Sequence, residues 1–159
     1  MKTILISAAF LLAVAPASAQ TRRWAAPPDP FIYKSAGEID AAVSKPDGGH
    51  AYGTLVVNDH EDYFIEFLKR LDHGNMVERH PHSIDQVTIV AGTGVLTYGG
   101  TVQGGTTAPN GELRGGTQVG AKTQGLKPGD FVLIPAGMAH KFDAAPGKSL
   151  TYVVAKARQ

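Results

Sequence analysis

Residues 74–94 read GNMVERHPHSIDQVTIVAGTG, and residues 129–142 read GDFVLIPAGMAHKF. The first stretch opens at Gly74, sets His80 and His82 two positions apart, and runs through Val87-Thr-Ile-Val90 to Gly92 and Gly94. On an extended strand residues i and i+2 project to one face, so this spacing predicts His80 and His82 side by side, both directed into a barrel. Two neutral imidazoles so placed suit Zn, Fe, Mn, Ni or Cu, although a lone pair of this kind also fits a surface or a polar core. By the same parity Glu78 shares a face with His80 and Arg79 points away, which makes Glu78 the candidate general acid or base. The second stretch is a turn, the apolar run Phe131–Ile134, a Pro-x-Gly turn at Pro135 and Gly137, and then His140.

Around these two stretches the pattern is that of short strands. The runs Ala51–Val57, Tyr63–Leu68, Val87–Val90, Val95–Tyr98, Phe131–Ile134 and Leu150–Val154 are separated by glycine, proline and polar turns, which predicts an all-β sandwich or barrel. One helix is expected over about Ala36 to Ser44: Ser35 and Glu38 have capping-box spacing, Ile39, Ala42 and Val43 form an apolar stripe, and Pro46 with Gly48 and Gly49 ends it. Gly99–Gly120 holds eight glycines, too loose for core strands, and reads as a long loop or irregular hairpin, either a cover for a barrel mouth or a surface insertion.

Both stretches together resemble the cupin superfamily. Its first motif is Gly, five residues, His-x-His, three or four residues, Glu and later Gly, matched here by Gly74, His80 and His82. Its second is Gly, five residues, Pro-x-Gly, two residues, His, three residues, Asn, matched at every spacing by Gly129, Pro135, Gly137 and His140. The resemblance implies a single jelly-roll, or double-stranded β-helix, barrel with a short N-terminal helix, occupying residues 35–159. It also implies one divalent transition-metal ion, Fe, Mn, Zn or Ni, held by His80, His82, Gln86 and His140. The chain departs from the pattern twice: Ala144 stands where the second motif closes with Asn, and Gln86 where the first has Glu. Counting back from Gly92 would put Asp85 in the ligand position, on the opposite face from the histidines if the strand is regular. Three imidazoles and an amide add no negative charge, so the ion would keep its full +2 and act as a stronger Lewis acid.

The barrel lining is expected from Phe131, Leu133, Phe142, Val87 or Thr88, and Tyr98, an apolar set that favours small, largely uncharged organic substrates and dioxygenase-type or lyase-type chemistry. The alternative is a noncatalytic barrel that holds a metal or small ligand. His60, between Asp59 and Glu61, reads as part of a polar turn rather than a second metal patch, and neither His50 nor His73 belongs to a motif.

Composition sets the remaining bounds. The chain has 159 residues, 43% apolar and 18% charged, with no cysteine and six histidines, so one domain is expected and any transition-metal site must use nitrogen and oxygen. Lys2, an apolar run from Ile4 to Ala15, Pro16 and the triplet Ala17-Ser18-Ala19 have the form of a signal peptide over residues 1–19, cleaved after Ala19, with an apolar run too short to span a bilayer. Removing it takes away one basic residue and leaves 14 basic against 14 acidic. A neutral domain argues against nucleic acid as a partner, and export argues for a periplasmic or secreted location with no membrane association after cleavage. Residues 20–34, with Pro27, Pro28 and Pro30 around Trp24, read as an extended lead-in, and the early strands offer sheet edges for a homodimer.

Overall fold

The computed structural model describes residues 31–45, 52–59 and 63–159. The expected signal peptide and most of the expected lead-in lie outside the described residues, as do His50 and His60.

The helix α1 (Ala36–Val43) is where the capping box puts it. The Ser35 hydroxyl accepts from the Glu38 amide while the Glu38 carboxylate accepts from the Ser35 amide at 2.8 Å, satisfying free N–H groups of the first turn. The remaining elements are strands: β1 (Tyr52–Asp59), β2 (Tyr63–Arg70), β3 (Glu78–Arg79), β4 (Ser83–Gly92), β5 (Gly94–Tyr98), β6 (Thr101–Gln103) and β7 (Thr106–Thr107). After these come β8 (Leu113–Arg114), β9 (Thr117–Val119), β10 (Lys122–Leu126), β11 (Phe131–Ile134), β12 (His140–Ala144) and β13 (Leu150–Arg158). They form a five-stranded sheet in the order β1-β2-β13-β4-β11, a six-stranded sheet in the order β10-β5-β12-β3-β8-β7, and a ribbon of β6 and β9. The pairings are antiparallel.

Alternation decides which side chains fill the barrel. Along β4, Asp85, Val87 and Ile89 are buried while Gln86, Thr88 and Val90 are exposed. Leu150, Tyr152 and Val154 do the same from β13, Leu96 from β5, Ile134 from β11 and Phe142 from β12, and these form one apolar core. A satellite cluster of Val77, Leu113 and Ala139 seals the six-stranded sheet. The expected lining is corrected at two places, Phe131 and Leu133, which are 61% and 56% exposed on the outer side of β11; of the pair Val87 or Thr88, Val87 is the buried one. Because β11 pairs with β4 through Leu133 opposite Gln86 and Ile134 opposite Asp85, the face shared by Gln86 and Leu133 is the outer one.

Two strands escape the sequence pattern. β10 carries polar Lys122, Thr123 and Gln124 yet pairs along its length with β5, and β12 begins at His140 itself. The glycine-rich segment 99–120 is an irregular hairpin: β6 pairs with β9, β7 with β8, and β8 with β3, so the segment is sewn into the six-stranded sheet. Its glycines are needed where the chain is crowded in a left-handed turn: Gly116 has φ +82° and a Cβ there would lie 2.7 Å from the Gln103 carbonyl oxygen.

Candidate metal centre

Four acid or imidazole side chains converge inside the barrel. Glu78 comes from β3, His80 from the turn that follows it, Asp85 from β4 and His140 from the start of β12; the backbone of Glu78 lies directly opposite that of His140. Glu78, His80 and His140 each offer a ligand atom within 4.8 Å of the others. Asp85 Oδ2 is 3.5 Å from both His80 Nε2 and His140 Nε2, and Glu78 Oε2 is 3.6 Å from His80 Nε2. His80, Asp85 and His140 are 4%, 3% and 2% exposed.

Each imidazole is turned by a partner behind it. His140 Nδ1–H donates to the Met138 carbonyl at 3.0 Å, and His80 Nδ1–H donates to the Glu112 carboxylate at 2.6 Å, so both Nε2 lone pairs face the centre. Burial pushes the His140 imidazole below its ordinary value, which keeps that lone pair free at neutral pH. Burial alone would raise the Glu78 carboxyl, but His80 and the charges of Arg70, Lys156 and Arg114 together outweigh it and hold the group well below the usual carboxylate range. Arg70 does so from 3.3 Å, and its Nε donates to the Tyr152 hydroxyl at 3.0 Å. A carboxyl held ionised this firmly is suited to be an anionic ligand or, of the two roles expected at Glu78, the base rather than the acid.

The sequence-predicted site residues divide. His80, His140 and Glu78 meet; His82 and Gln86 do not. His82 is exposed because Pro81 and His82 form a turn between β3 and β4, so the two histidines do not lie on one strand and the i, i+2 rule does not apply across them. Gln86 is exposed by the alternation of β4, and its neighbour Asp85 points inward instead. The side chains gathered here are two imidazoles and two carboxylates, a charged set where the resemblance implies an all-neutral one. Glu112 and Lys156 were not anticipated. Lys156 could have been found, since it continues the buried series Leu150, Tyr152, Val154 at spacing two; Glu112, at the tip of the hairpin, left no signal.

The centre fits a divalent ion. A tetrahedral ion with ligands at roughly 2.1 Å spaces its donor atoms about 3.4 Å apart, close to the 3.5 Å from Asp85 Oδ2 to each Nε2 and the 3.6 Å from Glu78 Oε2 to His80 Nε2. Asp85 Oδ1 is buried with no hydrogen-bond partner among the described residues, a free lone pair beside the same point. The cavity lined by Glu78, Asp85, His140, Phe142, Tyr152 and Lys156 measures about 10 Å³, room for one ion or one water.

No family model matches the chain, and no curated protein matches it in sequence. Solved structures do. A protein with a double-stranded β-helix domain from Klebsiella pneumoniae subsp. pneumoniae MGH 78578 is 19% identical, with 82% of this chain and 91% of that chain covered and a TM-score of 0.54. A recombinant oxalate oxidase in complex with glycolate is 12% identical over 82% of this chain and 61% of that chain, with a TM-score of 0.53. The Cnp3 cupin domain of Schizosaccharomyces pombe is 12% identical over 67% and 64%, with a TM-score of 0.50. At these identities the likeness is one of fold.

Proposed function

Because the chain has the cupin fold, we propose that it is an exported, mononuclear metal-binding cupin that holds one divalent transition-metal ion through Glu78, His80, Asp85 and His140. The observation that carries this reading is the grouping of donor atoms of Glu78, His80 and His140 within 4.8 Å of one another, with Asp85 Oδ2 3.5 Å from both Nε2 atoms and the imidazoles aimed inward by Glu112 and Met138. A bound ion would supply Lewis acidity, polarising a coordinated oxygen atom and easing loss of its proton. The protein's own part is to hold both Nε2 lone pairs inward, to keep Glu78 ionised through Arg70, and to exclude water by the Phe142 and Tyr152 rings, whose centroids are 4.7 Å apart.

As an enzyme of the dioxygenase or lyase type, the chain would act on a small, largely uncharged organic molecule. Leu68, Val87, Phe142, Tyr152 and Val154 make up much of the wall of the cavity, and this apolar share supports an uncharged substrate. The second reading, a noncatalytic periplasmic barrel that holds a metal, is favoured by the size of the cavity, about 10 Å³ with Lys156 in place, too small for an organic molecule beside that side chain. Residues 1–19 support export, with cleavage after Ala19.

The test is elemental analysis of the full mature chain after exposure to Fe, Mn, Zn or Ni, with His140→Ala alongside. We expect one ion per chain in the wild type and loss of most of it in the variant. Equal metal in both would overturn the assignment; a loaded protein that turns over no neutral substrate would decide for the holder.

A further inference from the structure

Lys156 sits where an ion would. Its Nζ donates to His80 Nε2 at 2.6 Å and to Asp85 Oδ2 at 3.3 Å, two of the donor atoms just described. The placement is built into the sheet: Lys156 on β13 is directly opposite Asp85 on β4, on the inward face of both strands, so register alone delivers the ammonium to the carboxylate. An ion bonded to His80 Nε2 would need the lone pair that this ammonium already engages at 2.6 Å, so the two cations compete for one place. We propose that Lys156 is a resident counter-cation: it occupies the metal position in the metal-free protein, neutralises the buried carboxylates there, and must leave when a divalent ion enters.

The side chain is suited to this exchange. Lysine is a point charge on a flexible four-carbon stem, whereas the guanidinium of Arg70 is fixed between Glu78 and Tyr152. Lys156 is 18% exposed, so its head group has a route to water, while Asp85 and His140 around it are nearly sealed. Without it Asp85 would be a buried charge with no lysine or arginine within hydrogen-bonding reach among the described residues, a costly state for the metal-free protein. With it, loading becomes a trade of one cation for another, which lowers metal affinity and makes binding reversible.

This inference rests on the metal-binding reading, and two measurements on the full chain separate them. The first is Zn²⁺ affinity by competition with a chromophoric chelator, for the wild type and Lys156→Met. We expect tighter binding in Lys156→Met by at least about tenfold, the equivalent of removing roughly 1.4 kcal/mol of opposition. The second uses the wild type alone: acylation of lysines, read by mass spectrometry, should rise severalfold at Lys156 when Zn²⁺ is added and stay level at the exposed Lys127. Equal or weaker affinity in Lys156→Met, or bound Zn²⁺ with no change in Lys156 labelling, overturns the counter-cation and leaves the metal centre standing. No Zn²⁺ binding by either protein overturns the metal centre itself. If Lys156→Met does not fold, the labelling of the wild type decides.

Discussion

Glu112 grips His80 from the side away from the centre, fixing both the tautomer and the tilt of the ring. Removing it in Glu112→Ala should weaken metal binding by about 10- to 100-fold with little change in the fold; undiminished affinity in a competitive titration would mean that packing alone orients the imidazole. At β4, Asp85→Asn should cost most of the bound metal and Gln86→Ala none, as measured by elemental analysis of the two variants. Glu66 gives a pH-dependent prediction. Burial pushes its carboxyl above the ordinary value of 4.5, with the Thr54 hydroxyl and Lys156 opposing. A folded-state value above the unfolded one contributes stability that is complete below about 4.5 and is lost as pH rises through the folded-state value. Glu66→Gln should therefore melt higher than the wild type at pH 7, with the difference shrinking toward pH 4; a constant difference in thermal melts across that range would refute it. Parity explains what was legible at this scale: Val87 and Ile89 are inward, so the same alternation read backward reaches Asp85, whereas a count forward from His82 starts inside the Pro81–His82 turn and reaches the exposed Gln86.

The hairpin of residues 99–120 is the element whose role the sequence concealed. Its glycines mark it as irregular, and nothing local tells that β8 will pair with β3 and carry Glu112 to within 2.6 Å of His80. The anchor is Leu113, buried against Val77 and Ala139 next to Glu112 in the chain. Leu113→Ala should destabilise the domain by about 2–4 kcal/mol in denaturant titration and, by loosening the arm, also weaken metal binding. Loss of stability with metal affinity intact would show the arm to be structural only. The strands with strong apolar alternation were legible because burial on one face writes itself into the sequence; β10, held by backbone bonds to β5 with its first four residues exposed, had no such signature.

Across the whole molecule the barrel and the centre are one construction, since the donors come from β3, the turn after it, β4 and β12, and their counter-cation from β13. Metal should accordingly stabilise the entire domain: at a free concentration 100 times the dissociation constant, by about 2.7 kcal/mol, visible as a rise in melting temperature that His140→Ala lacks. The position of β13 has a further consequence. It lies in the middle of the five-stranded sheet, between β2 and β4, which pair with it and not with each other. During synthesis the ribosome delivers residues 63–92 long before residues 150–158, so both neighbours wait with open edges until the last strand arrives. The sheet then closes like a zip fastener drawn shut by β13, and it stays open until that strand has been made.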